Sequence, residues 1–318
     1  MLGSTKARVL AVGLALLLAL PVVTAALDQP FYLTFATRVL IFALAALSLD
    51  LILGYGGLVS LGHAAFFGFA AYVVAILAAE GVTSAWVQWP VAILASGLVA
   101  LLIGLVVLRT SGVYFIMITL AFSQMLYFLF VSLRQYGGDD GLRVVQRSEI
   151  GFGIDLARPA ILYYLTLAIL VAALVLLGRL TRARFGMVLT GAKHDQRRMA
   201  ALGFPVMRYR LAAFALAGML CGVAGVLQAN LTQFVSPAYM AWTRSGELIV
   251  MVVLGGMGTL FGPVAGAAAL LVIEELLADL TVHWMVVLGP ILVLLVLFAK
   301  RGLWGLVERG PPTGGGHG

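Results

Sequence analysis

Two runs of membrane-grade hydrophobicity, Pro159 to Leu177 and Leu211 to Ala229, are separated by one long polar interruption, Arg179 to Arg210. That stretch carries eight basic residues (Arg179, Arg182, Arg184, Lys193, Arg197, Arg198, Arg208 and Arg210) against a single acid, Asp195. Placing eight cations at mid-bilayer costs on the order of 20 kcal/mol, so the interruption lies in water. Within it Phe185, Val188, Leu189, Ala192, Met199 and Leu202 recur at mostly three- and four-residue steps, which predicts short amphipathic helix. Asp195 suits the N-cap of about two helical turns, Gly203 suits the left-handed position after the last turn, and Pro205 blocks continuation. The spacing admits two readings. One is a helix docking into a groove on a cytoplasmic partner; the other is a helix lying on the anionic inner leaflet.

Composition sets the class. With 63% hydrophobic and 10% charged residues and a mean hydropathy of +1.10, the chain is expected to be all-α, a polytopic inner-membrane protein rather than a soluble globular one. The net charge of +7 equals the excess in the Arg179 to Arg210 stretch alone. The basicity is therefore topological and gives no reason to invoke nucleic acid. One cysteine, Cys221, within an apolar run, offers neither a disulfide nor a thiolate metal cluster.

About ten spans are expected, including glycine-broken helices, in one transmembrane domain over residues 1–309 followed by a disordered tail, 310–318. The first run, Val9 to Leu27, reads as a span in preference to a cleaved signal. Phe31 to Leu53, the segment ending near Ala79, Val87 to Val107, Val113 to Leu133, Pro159 to Leu177 and Leu211 to Ala229 follow. Glu247 to Leu254 and Val264 to Leu277 form a broken pair, and Trp284 to Ala299 is the last. With the N-terminus inside, Arg109, the basic stretch and Lys300 with Arg301 share one side, which the positive-inside rule makes cytoplasmic.

Glycine interrupts two hydrophobic stretches in opposite halves, from Gly54, Gly56 and Gly57 to Gly62, and from Gly255 and Gly256 to Gly262. Broken helices survive in a bilayer only where protein or a water-lined cavity satisfies the freed backbone groups, so paired breaks point to a translocation route. Close helix packing through small residues is the competing reading. Ser60 and Thr259 stand at matching offsets from their Gly-Gly pairs. Among ionisable residues in or near spans, Asp50, Glu274 and Glu275 sit toward span ends, where snorkelling makes them bland. His63 and Glu247, beside the two breaks, are the better candidates for the route.

Catalysis finds no foothold. His63, His194, His283 and His317 show no HExxH spacing, there is no GxSxG elbow, and Lys6, Lys193 and Lys300 follow Thr, Ala and Ala rather than the Gly of a P-loop. Energy for uphill transport must then come from an ion gradient or from another polypeptide.

The stretches LGYGGLVSLGHAAFFGFAAYV, YGGDDGL, FGMVLTGAKHDQRRMAALGFPVMRYRLAAFALAGMLCGVAGVL and LIVMVVLGGMGTLFGPVAGAA occur in this order. Together they resemble a LivM-type permease subunit of branched-chain amino acid ABC importers, over about Arg38 to Arg301. The resemblance implies a membrane heterodimer with a LivH-type permease, two cytoplasmic ABC ATPase subunits that hold the ATP and Mg, and an extracytoplasmic substrate-binding protein. No cofactor is then expected in this chain, and lipid is its surroundings. The resemblance also implies that Arg179 to Arg210 carries the coupling helix, with Phe185, Val188, Leu189, Asp195, Arg197, Arg198, Met199, Leu202 and Gly203 as coupling residues. The family's segment is richer in acids; only Asp195 remains here. Gly54, Gly56, Gly57, Ser60, His63, Glu247, Gly255, Gly256 and Thr259 are the expected pathway residues. The expected function is inward movement of branched-chain amino acids, or of urea or a short amide, across the inner membrane of a prokaryote. An ion-coupled secondary transporter is the rival, and of the acids it requires deep in spans only Glu247 qualifies.

Overall fold

A computed structural model of the chain describes residues 15–24 and 29–280 apart from 152–154, with residues 13, 283, 286–287, 289–290 and 302–307. The expected span Trp284 to Ala299 and the tail 310–318 lie outside the described residues almost entirely, as do residues 9–12, 14 and 25–27 of the first run.

The long apolar runs form helices. They are α1 (Ala15–Thr24), α2 (Pro30–Asp50), α3 (Ala64–Ala79), α4 (Ala85–Val107), α5 (Val113–Ser132), α6 (Pro159–Arg182), α7 (Arg184–His194), α8 (Gln196–Ala201), α9 (Val206–Thr232), α10 (Trp242–Gly255) and α11 (Gly262–Leu280), with a short helix at Gly302–Val307. Among the described residues five segments are long and apolar enough to cross a membrane: α2 with its continuation to Tyr55, α4, α5, α6 and α9. The chain is thus an all-helical, multi-pass membrane protein. The single sheet among the described residues is two residues deep, β1 (Leu142–Arg143) antiparallel to β2 (Phe234–Val235).

The polar interruption, where short amphipathic helix is expected, forms two helices, α7 and α8, and its last two cations belong to the first turns of α9. Asp195 does cap α8, accepting from the Arg198 N–H at 3.0 Å. Gly203 takes φ +85°, and Pro205 stands directly before α9.

At one end of the bundle β1 pairs β2, Ser148 donates its N–H to Asn230 Oδ1 at 2.8 Å, and Tyr136 Oη donates to Glu80 Oε1 at 3.0 Å. At the other end Arg210 donates from Nη2 to the Ala192 carbonyl at 3.0 Å and from Nη1 to Gln196 Oε1 at 2.7 Å, tying α9 to α7 and α8. This second end carries the cationic stretch.

Helix α9 is the hub, packing against α2, α3 and α4. Lipid tails are as apolar as leucine, so close packing rather than water exclusion holds such helices together. Small residues make the approach possible. A Cβ on Gly218 would strike the Ala100 methyl, one on Gly222 would press on Ser96, and one on Gly225 would collide with the Phe67 carbonyl of α3. Phe66 and Phe214 close the seam edge to face at 5.7 Å.

Gly225→Leu is therefore expected to force α9 away from α3, at a cost of about 1–3 kcal/mol. Gly246→Ala on α10, where nothing lies within 4 Å, should leave stability unchanged. Thermal unfolding of the detergent-solubilised protein checks this: a lower midpoint for the first variant only is the expected result, and equal midpoints would refute the packing assignment.

Candidate site at the junction of the two helix breaks

The two glycine breaks meet. Helix α2 does not stop at Asp50 but widens into a π-type turn over Leu51–Tyr55, the kind of irregularity that frees backbone groups and recurs at functional positions. Asp50, only 1% exposed, accepts the N–H of Gly258 on Oδ1 at 2.8 Å. Gly54 fills the angle between them: an added Cβ would run into the Asp50 carboxylate and the Gly258 nitrogen. Gly258 itself has φ +73°, which a residue bearing a side chain rarely adopts. The carbonyl of Gly54 accepts from Lys193 Nζ at 2.7 Å, and the stem of Lys193 lies against Gly57. The end of α2, the turn before α11, and α7 of the cationic unit are thus tied at one point. The Lys193 charge also acts on the Asp50 carboxylate, whose Oδ2 is buried without a hydrogen-bond partner among the described residues.

Each break also satisfies its own backbone. In the first, Gly62 N–H reaches Ser60 Oγ at 3.3 Å, Leu61 N–H reaches Thr119 Oγ1 of α5 at 3.2 Å, and Ala64 N–H reaches Ser245 Oγ of α10 at 3.0 Å. In the second, Thr259 Oγ1 accepts the Gly262 N–H at 3.1 Å and donates to the Gly256 carbonyl at 2.7 Å. Ser60 and Thr259, singled out for matching offsets, have matching work: each hydroxyl accepts an N–H that the broken helix leaves free. Gly56 lies against the Ile52 carbonyl, and Gly255 abuts the backbone of Gly262 and Gly266. Gly256, at φ +119°, ends α10.

His63 is fully buried, with Nε2 2.9 Å from Ser48 Oγ. Ser48 Oγ also donates to the Ala45 carbonyl at 2.6 Å. His63 therefore clamps α3 onto α2, and Cys221 Sγ of α9 contacts its carbonyl at 3.5 Å. Glu247 is elsewhere, on the partly exposed face of α10, paired with Arg244 at 2.7 Å. The structure does not bring it to the junction.

In the cationic unit, the apolar positions expected to face a partner point two ways. Val188, Leu189 and Ala192 are buried in the chain itself, Phe185 packs on Tyr209 at 5.8 Å between ring centroids, and Met199 closes against Gly191. An amphipathic helix beside its own membrane domain buries its apolar stripe there first. Outward stand Met187, Arg197, Arg198 and Leu202, among other exposed residues of the unit. Sequence reasoning passed over Lys193 as one cation among eight and Asp50 as a residue near a span end. The one available signal was an acid, Asp50, standing four residues before Gly54, the first glycine of the break.

Against known proteins, residues 31–297 match the family described as "Branched-chain amino acid transport system / permease component". The high-affinity branched-chain amino acid transport system permease proteins LivM of Escherichia coli K12 and Salmonella typhimurium LT2 are each 29% identical over 292 aligned residues, covering 84% of this chain and 68% of theirs. No solved structure gives a significant match.

If Asp50 serves the junction as an acceptor, Asp50→Asn should keep the bond from Gly258, whereas Asp50→Ala leaves a buried N–H unpaired at about 1–3 kcal/mol. The measurement is the thermal midpoint of the purified protein. An alanine variant as stable as the asparagine variant would show that the Gly258 bond holds nothing.

Proposed function

The chain belongs to the family of permease components of branched-chain amino acid transport systems, and on that premise we propose that it moves a branched-chain amino acid, or a related small polar solute, into the cytoplasm by alternating access. Its place is the inner membrane of a prokaryote. There it pairs with a LivH-type permease, receives solute from an extracytoplasmic binding protein, and is driven by two ABC ATPase subunits that hold the ATP and Mg. This chain performs no covalent chemistry.

The observation that carries the reading is the bond from Lys193 Nζ to the Gly54 carbonyl. ATPase subunits grip the outward residues of α7 and α8: Met187, Arg197, Arg198 and Leu202. Because the inward face of α7 is packed into α6 and α9, displacement of the unit does not dissipate locally. Lys193 carries it to Gly54, and Asp50 carries it across to Gly258. Helices α2, α10 and α11, which pack on one another, then shift about the two glycine turns and change which side of the membrane the route faces. The ATPases supply the differential binding that biases the two states. Glycine at 54, 57, 256 and 258 lets the turns rearrange without a Cβ in the way, and the Ser60 and Thr259 hydroxyls keep freed backbone groups satisfied meanwhile.

Two substitutions separate grip from transmission. Reversing both charges, Arg197→Glu with Arg198→Glu, is expected to reduce copurification of the ATPase subunits. Lys193→Met should leave copurification intact while lowering ATP-driven uptake about tenfold or more, the rate equivalent of losing a charge-assisted bond of about 1.5–3 kcal/mol. Uptake by the Lys193 variant at the wild-type rate would break the proposed linkage, and full association of the double reversal would remove those arginines from the docking surface.

A further inference from the structure

Four charged side chains from three helices gather at the opposite end of the elements that form the junction. Arg244 Nη1 and Glu247 Oε2 of α10 are 2.7 Å apart, and Arg38 Nη2 of α2 lies 3.8 Å from Glu274 Oε1 of α11. Glu274 senses the charges of Arg38, Glu247 and Arg244 together. Arg38 lies eight residues inside the outer end of α2, and Glu274 six residues inside the end of α11. At 1.5 Å per residue these are distances of about 12 and 9 Å from those helix ends. The cluster thus lies inside the helices rather than at their termini, and ionised groups so placed in a membrane protein mark binding or conduction.

The two pairs differ. Arg244 and Glu247 are in direct hydrogen-bond contact and satisfy each other. Arg38 and Glu274 are held too far apart to hydrogen-bond, and among the described residues the guanidinium makes no closer contact with an acceptor, only an approach to the Phe42 ring at 5.9 Å. A positive fork and a negative carboxylate, both partly exposed and paired through charge at 3.8 Å without a hydrogen bond, stand side by side. Phe42 leads from this pair into an apolar recess lined by Phe42, Ala64, Phe67, Tyr239, Arg244 and Leu248, which in this conformation holds about 10 Å³, the room of one water.

We propose that Arg38 and Glu274 form a binding site for the charged end of an α-amino acid, with the recess behind Phe42 as the slot for its apolar side chain. Arg38 takes the carboxylate on its fork, Glu274 takes the ammonium, and Arg244 with Glu247 holds the α10 wall. The recess must widen to admit an alkyl group, and it lies between α2, α3 and α10, helices whose cytoplasmic ends meet at or beside the junction. Loading and junction movement are thus coupled through the same helices. This assignment rests on the proposed function as an amino-acid permease and adds to it where in the chain the solute is held.

The test uses the assembled importer in membrane vesicles, with ATP-driven uptake of radiolabelled L-leucine at saturating binding protein. Glu274→Gln is expected to lower uptake at least tenfold while all subunits copurify. The swap Arg38→Glu with Glu274→Arg restores an ion pair but reverses its polarity against a slot that fixes the side chain, so uptake should stay as low. Uptake restored by the swap would reduce the pair to a structural bridge. Undiminished uptake by Glu274→Gln, or loss of subunits from it, would overturn the site, the latter by making the cluster a subunit contact. A wild-type importer that moves no amino acid would overturn the proposed function and this site with it, whereas wild-type uptake with an indifferent Glu274→Gln overturns the site alone.

Discussion

In hydrocarbon there is no water to take up a backbone N–H or C=O that a helix lets go, and this constraint governs where the chain bends. Both breaks meet it with side chains brought from elsewhere: Thr119 and Ser245 reach into the first, and Asp50 reaches into the second. Once Asp50 is committed to Gly258, the end of α2 and the turn before α11 are locked together. Gly54 becomes the only residue that fits between them. Lys193 then closes the arrangement by taking the carbonyl that the π-type turn leaves open.

On the proposed function, the junction is where a displacement applied from outside would enter the chain. Packing around α9 is dense and built on small residues, with Gly218, Gly222 and Gly225 leaving no slack against α3 and α4. Such packing leaves little room for relative movement. The α10 and α11 pair differs: it meets the end of α2, itself packed on α9, through glycine turns and a few polar bonds. A displacement entering at α7 finds a rigid body on one side and a hinged one on the other. The same hinged helices carry charged residues in their outer halves, so the two ends of the mechanism belong to one set of elements.

Much of this was legible in residue order. Hydropathy located α2, α4, α5, α6 and α9 to within a few residues, because a segment apolar on every face has no alternative to burial or lipid. Asp195, Gly203 and Pro205 announced the limits of α8 through local capping chemistry, which needs no distant partner. Ser60 and Thr259 were found for their offsets, and their hydroxyls do serve the breaks. The direction of the α7 stripe was not legible: Val188 and Leu189 are apolar at helical spacing whether they face a partner or their own chain. For His63 and Glu247, both standing beside a break, residue order did not show the partners the structure gives them, Ser48 for His63 and Arg244 for Glu247.

Residue order by itself determined that this is an all-helical membrane chain, that its net positive charge is concentrated in one stretch, and where its helices are broken. These follow from transfer energies and local backbone preferences, which each segment carries alone. Only the tertiary structure decided that the two breaks touch, that Asp50 and Lys193 out of many similar residues hold them, and that Arg38 lies across from Glu274. Those pairings span from 139 to more than 200 positions of sequence. They arise from how α2 packs against α11 and α7, and no local periodicity encodes which distant hydrogen-bond partner a buried group will find.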